Sequence, residues 1–147
     1  MDLTQSTWMV RDLGQSASDV LLLEDNSVLA GGWDGAIKYW SAEGETVWEI
    51  ATPNRISCLT IDADKLYATS GLHLLKIDLE TGGVEWQIQL EGSADAVVVT
   101  KKCVIASSSV YDIEHNDFLE SALWSISFDG EVLETHRMDE RSWTLQL

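Results

Sequence analysis

Residues 56–90 read ISCLTIDADKLYATSGLHLLKIDLETGGVEWQIQL, and this stretch decides the fold. It contains four short apolar runs, at 56–61, 66–69, 74–78 and 84–90, that are separated by turns rich in Asp, Ser and Gly. Short runs of β-forming side chains at this spacing indicate strands, and no helical spacing is sustained over a long window. The stretch therefore predicts one small unit of four strands, named A to D in chain order.

The rest of the chain repeats this unit. A shift of 38 residues superimposes the sequence on itself without a gap, which places Leu21 on Leu59, Ala30 on Ala68, Lys38 on Lys76, Gly44 on Gly82, Trp48 on Trp86 and Ile50 on Ile88. A second shift of 38 residues continues the match until Ser109, after which Gly82 pairs with Gly130, 48 residues on. Residues 110–120 therefore read as an insertion, which we predict to be a loop between strands B and C of the third unit.

Four short strands in about 40 residues are typical of a β-propeller blade. We predict an all-β propeller with three complete blades, at 17–54, 55–92 and 93–140. Residues 6–13, which carry Trp8, align with the D strands and predict an outer strand. Residues 141–147 align with the A strands and predict an inner strand.

Three blades do not close a ring, since propellers have about four to eight. The chain is then either part of a longer propeller or a segment that associates to complete the circle. An isolated segment would expose the apolar faces of its end blades, and such patches mark interaction sites.

The segment KIDLETGGVEW at residues 76–86 resembles the quinoprotein-type propeller repeat, whose pattern is Ala-x-Asp-x-x-Thr-Gly-x-x-x-Trp. Asp78, Thr81, Gly82 and Trp86 match this pattern, and Lys76 stands where the family usually has Ala. The resemblance implies a propeller fold and, as one alternative, a quinone-dependent enzyme with its site in the central channel. The family's cofactor contacts lie outside the matched motif, so no cofactor residue is assigned.

The other two repeats match this motif in part. Gly44 and Trp48 match in the first repeat, where Trp40 replaces Asp and Glu43 replaces Thr. In the third repeat Gly130 matches, while Glu134 stands in the place of Trp. The segment GGWDGAIKYW at residues 31–40 also resembles a WD40-type repeat, although the usual Gly-His pair is missing.

A large ring once per blade indicates a structural role. A Trp at this position buries apolar area against the next blade, and its N–H can donate to a carbonyl. A glycine in the C–D turn adopts positive φ without strain. The predicted set at the seams between blades is Trp8, Trp48, Trp86, Gly44, Gly82, Gly130, Asp78 and Thr81.

The insertion holds the richest polar cluster of the sequence. Asp112, Glu114, His115 and Asp117 offer carboxylate and imidazole ligands for a cation. The segment lacks the glycine and the regular spacing of a calcium loop, so a solvated loop is the competing interpretation. No nucleophile elbow, phosphate-binding glycine loop or other catalytic set is found.

Charge limits the partners. The chain has 25 acidic and 9 basic residues and a formal net charge of -16, which repels nucleic-acid backbones and anionic membranes. Residues 1–19 lack the basic and apolar regions of a signal peptide, and two cysteines do not make a disulfide framework. We therefore expect a cytoplasmic protein.

These observations favour a non-catalytic propeller module that binds proteins and uses no cofactor. The partner is another protein or further copies of the chain that complete the ring. The alternatives are a quinoprotein-like enzyme and a propeller that binds a small ligand in its central channel.

Overall fold

The computed structural model describes residues 7–142 and 144–147, and these residues form twelve strands and no helix. The strands are β1 (Ala17–Leu22), β2 (Val28–Gly32), β3 (Ala36–Trp40), β4 (Thr46–Ala51), β5 (Ile56–Asp62), β6 (Lys65–Ser70), β7 (His73–Asp78), β8 (Val84–Gln89), β9 (Ser93–Val99), β10 (Val104–Asp112), β11 (Asp117–Ile126) and β12 (Val132–Met138). None of the described segments is a helix long and apolar enough to cross a membrane.

The strands form three antiparallel sheets of four, each with its strands in chain order. We call them blade 1 (β1–β4), blade 2 (β5–β8) and blade 3 (β9–β12). The predicted all-β fold of four-stranded units is confirmed. No described strand joins blade 3 to blade 1, so the sheets form part of a ring.

The cores lie between the blades. One cluster joins Leu29 and Ile37 of blade 1 to Leu66 and Leu75 of blade 2, all of which are buried. A second cluster lies between blades 2 and 3. Because side chains alternate between the two faces of a strand, each inner blade is apolar on both faces.

The ungapped repeat misplaces the inner strand of blade 1 by one residue. In blade 2, Leu59 lies opposite Ala68. In blade 1, the equivalent Ala30 lies opposite Val20 and not Leu21. The turn between β1 and β2 is longer, and a one-residue displacement moves each side chain to the other face of the sheet. Leu21 therefore packs towards blade 2, while Val20 turns away from it.

Strand β3 is displaced in a similar way relative to β7. Ser41, and not Trp40 as the ungapped repeat predicts, stands where blade 2 has Asp78. The Ser41 hydroxyl accepts a hydrogen bond from the N–H of Glu45, as the Asp78 carboxylate does from the N–H of Thr81.

The insertion is not the predicted loop. β10 and β11 extend through most of residues 110–120 and form a hairpin whose turn includes Asn116, at φ 52°. The rings of Tyr111 and Phe118 meet edge to face across it, with centroids 5.1 Å apart. Cross-strand aromatic pairs stabilise such ribbons, and this explains why the segment is ordered as strands.

The two flanking strands are absent from the single chain. The structure assigns no strand to residues 7–13, 141–142 or 144–147, and Ser6 and Trp143 lie outside the described residues. A strand needs a neighbour for its backbone hydrogen bonds. The blade that these segments would complete has no B and C strands among the described residues, so neither segment has a sheet to join.

Candidate binding surfaces

A tryptophan from each of the first two blades bridges to the next blade. The indole N–H of Trp48 donates to the carbonyl of Leu79 at 2.8 Å. The indole N–H of Trp86 donates to the carbonyl of Phe128 at 2.9 Å. Both acceptors occupy the first position of a C–D turn, so the two seams use the same geometry.

The glycines of these turns lie against the indole rings. A Cβ built on Gly82 would lie 2.8 Å from Cδ2 of Trp48, and one on Gly130 would lie 3.0 Å from Cδ2 of Trp86. Both glycines also have positive φ, of 73° and 90°. Close approach and backbone conformation therefore both require glycine here.

The same place on blade 1 is taken by an arginine of the N-terminal segment. Arg11 donates through Nη2 to the carbonyl of Ala42 at 3.1 Å, and its guanidinium lies over Gly44. Ala42 corresponds to Leu79 and Phe128, so residues 7–13 lie where the outer strand of a preceding blade would be. Trp8, which the repeat places at this seam, is 70% exposed in the chain.

We call the face of blade 1 that points away from blade 2 the leading face. It is apolar and only partly covered: Met9 and Leu13 pack on Val28, Ala30 and Trp40. Next to this contact, Val20 and Leu22 of the inner strand are 60% and 59% exposed. Their counterparts in blades 2 and 3, Leu59 and Val97, are 3% and 1% exposed.

A groove of about 450 Å³ runs along the leading face. Its lining is apolar except for one charged residue, Arg11, which is already hydrogen-bonded to two backbone carbonyls. The neighbouring Lys38 forms an ion pair with Glu49 at 3.7 Å. In a chain of net charge -16, no acidic residue lines this groove.

The opposite end of the fan, the trailing face of blade 3, has a different composition. Its register places Ser125 and Glu134 in one row and Leu123 and His136 in the next, on the side away from blade 2. Glu134 is the counterpart of the seam tryptophans and is exposed. A carboxylate cannot donate a hydrogen bond to a turn carbonyl as an indole does.

Asp78 and Thr81 organise the C–D turn of blade 2. The Asp78 carboxylate accepts hydrogen bonds from the N–H and the hydroxyl of Thr81, and from the ammonium of Lys65 at 2.9 Å. The Lys65 bond, followed by those from Thr81, lowers the pKa of Asp78 from 3.8 to about 2. Lys65 also pairs with Glu85 at 2.6 Å, and these partners raise its own pKa.

The structure does not gather the four candidate metal ligands into a site. Asp112 accepts hydrogen bonds from the N–H groups of Glu114 and His115, and these lower its pKa. His115 Nδ1 lies 3.3 Å from Asp112, whereas no contact brings Glu114 or Asp117 side chains to this pair. Across the described residues, no three His, Cys, Asp or Glu side chains are arranged to hold a metal ion.

One surface was not expected from the sequence. The guanidinium of Arg55 stacks on Trp33 at 3.8 Å, and that of Arg141 stacks on Phe118 at 3.9 Å. Both arginines line a groove of about 480 Å³ that also includes Asp95, which pairs with Arg141 at 2.8 Å. Arg55 and Arg141 precede equivalent inner strands, but the aromatic partners come from turns of unequal length, which hides the pairing in the sequence.

No protein-family model matches the sequence, and no curated protein matches it either. Solved structures do resemble the fold. The computationally designed Ika8 protein is 18% identical with a TM-score of 0.69, and the match covers 90% of this chain and 40% of that one. For the computationally designed Ika4 protein the values are 16% and 0.59, covering 87% of this chain and 94% of that one.

The WD40 β-propeller domain of Doa1 is 16% identical with a TM-score of 0.69, over 89% of this chain and 44% of that one. The chain thus spans less than half the length of two of these three structures. At such identities the likeness concerns the fold alone. The three antiparallel sheets and these neighbours together show that the chain folds as part of a β-propeller.

Proposed function

We propose that the chain is a non-catalytic propeller module that binds another protein, or further copies of itself, through the end faces of its fan. One observation supports this above all others. Val20 and Leu22 are exposed at positions whose counterparts are buried in the other two blades. Contiguous apolar surface that the fold buries elsewhere is typical of an interface.

The seams between blades make this module rigid in our proposal. The predicted set is Trp8, Trp48, Trp86, Gly44, Gly82, Gly130, Asp78 and Thr81. Trp48 and Trp86 tie each blade to the next turn, and Asp78 with Thr81 holds one of those turns in shape. Trp8 would join the set only when a neighbouring blade covers it.

Charge narrows the partner class. The strongly acidic chain favours proteins over nucleic acids and anionic membranes, in keeping with the expected cytoplasmic location. No cofactor is part of this proposal.

The competing function is a quinone-dependent enzyme, or another channel-binding propeller, and it rests on the motif at residues 76–86. In the structure the Asp78 and Thr81 side chains bond to each other, and Asp78 also bonds to Lys65. The motif residues therefore have structural partners, and this favours the binding module.

Affinity capture with end-face variants tests the module. The immobilised chain should retain a partner protein that is lost from a variant with an altered end face, Leu22→Glu on blade 1 or Leu133→Glu on blade 3. Trp33→Ala, on the stacked arginine surface, serves as the control. If neither end-face variant lowers retention of any protein, and the chain also fails to bind itself, the module proposal is wrong.

A thermal titration tests the enzyme. Addition of pyrroloquinoline quinone with Ca²⁺ should leave the melting temperature unchanged, because a ligand that binds the native state raises it. A rise that saturates with quinone concentration would support the enzyme instead.

A further inference from the structure

We infer that the leading face of blade 1 is a self-association surface, on which a second copy of the chain docks its own leading face around a twofold axis. This inference rests on the proposed function and names the partner. It begins with the surface that the N-terminal segment leaves open. Trp8 and Val10 are 70% and 73% exposed, and Val20 and Leu22 flank them at 60% and 59%.

The position of this surface in the fold supports docking. The same strand positions are covered by a neighbouring blade in blades 2 and 3, so the leading face continues a series of interfaces that the chain already makes. Arg11 satisfies the turn carbonyl of Ala42 that a preceding tryptophan would reach. The hydrogen bond of the seam is therefore made within one chain, and what remains uncovered is apolar.

Charge identifies the second copy as the occupant. Two chains of net charge -16 repel each other, and they can associate closely only where acids are absent. The groove on the leading face has no acidic lining residue, and the adjacent Lys38–Glu49 pair is neutral as a unit. Two such faces bury apolar area without placing carboxylates opposite each other.

Charge also decides against a head-to-tail arrangement. There the trailing face of one copy would meet the leading face of the next, with Glu134 directed at the C–D turn of blade 1. That turn contains Glu43 and Glu45, and like charges across an interface are costly. A twofold contact avoids this juxtaposition and stops at two chains, whereas a head-to-tail contact continues to larger rings or filaments.

Light scattering coupled to size exclusion, over a hundredfold range of protein concentration, tests the inference. Wild type should reach the mass of two chains and no more, and sodium chloride should not dissociate it. Leu22→Glu should be monomeric at every concentration. Leu133→Glu, an identical change at an equally exposed residue (59%) of blade 3, should remain dimeric.

Circular dichroism melting of both variants shows whether each remains folded. If Leu22→Glu does not fold, Val20→Thr, which keeps the β-branched shape but adds a hydroxyl, should weaken the dimer at least tenfold. A monomeric wild type, species larger than two chains, or dissociation by Leu133→Glu would each overturn the inference. A monomer that still captures another protein would leave the proposed function standing, so the two can fail separately.

Discussion

The seam between blades 1 and 2 and the leading face of blade 1 use the same strand positions but end in different states. At the seam, Leu59 is 3% exposed and the Trp48 indole is hydrogen-bonded to the next blade. On the leading face, Val20 is 60% exposed and Arg11 takes the place of the indole. The comparison teaches that a blade's faces are designed for neighbours, and that a flexible charged side chain replaces the ring where no blade precedes.

The largest effect should come from removing the ring of an interior seam. Trp48→Ala deletes a side chain that is 8% exposed and leaves the carbonyl of Leu79 without its donor. We expect a loss of about 3–5 kcal/mol in the free energy of unfolding, measured by urea denaturation.

Two controls sharpen that measurement. Trp33→Ala removes a ring that is 56% exposed, so it should cost far less than Trp48→Ala. Arg11→Ala removes the substitute on the leading face, and its exposed hydrogen bond should contribute only about 0.5–1.5 kcal/mol. Equal losses for Trp48→Ala and Arg11→Ala would erase the distinction between the interior seam and the leading face.

A smaller effect is expected when the turn beneath the ring is altered. Gly82→Ala adds a Cβ 2.8 Å from the Trp48 ring at a residue whose φ is 73°. Gly14→Ala makes the same change at φ 78°, but nothing lies within 4 Å of the added atom. The difference between the two isolates the close approach from the backbone strain, and crowding of this kind costs about 1–3 kcal/mol.

The outcome to look for is a Gly82→Ala loss that exceeds that of Gly14→Ala. If the two losses agree, the indole of Trp48 does not press on the turn, and the packing described for the seam is wrong. In a Trp48→Ala background the added methyl should cost less, because its obstacle is gone.

The sequence predicts the interior seams better than the ends. Trp48, Trp86, Gly82 and Gly130 recur at fixed spacing because each blade repeats the same contact, so periodicity alone finds them. The leading face breaks the pattern: the displacement of β1 exposes Val20 instead of Leu21, and a self-match of letters does not contain turn length. Arg11 escaped notice since nothing in its residue type marks it as a substitute for an indole.

The insertion failed for a related reason. Asp112, Glu114, His115 and Asp117 suggest ligands by composition, but strand pairing directs alternate side chains to opposite faces. Phe118 and Tyr111, whose ring contact stabilises the hairpin, carry more information about this segment than its carboxylates do. A cluster in sequence is therefore not a cluster in space on a β-ribbon.

The smallest expected effect is a change in acid sensitivity at the C–D turn of blade 2. The folded pKa of Asp78 is about 2, below its ordinary value of 3.8, chiefly because of the hydrogen bond from Lys65. A carboxyl with a depressed folded pKa stabilises the fold at pH values above its unfolded pKa, and that contribution is lost as the pH falls through the folded one. The loss attributable to Asp78 therefore lies between about pH 4 and pH 2. Asp78→Asn should lower stability at pH 7 and flatten the decline across this window, as followed by urea midpoints at each pH. Asp129→Asn, at an exposed residue of the corresponding turn in blade 3, should keep the slope of the wild type. A slope that Asp78→Asn leaves unchanged would mean that the ion pair with Lys65 contributes nothing to holding this turn beneath Trp48.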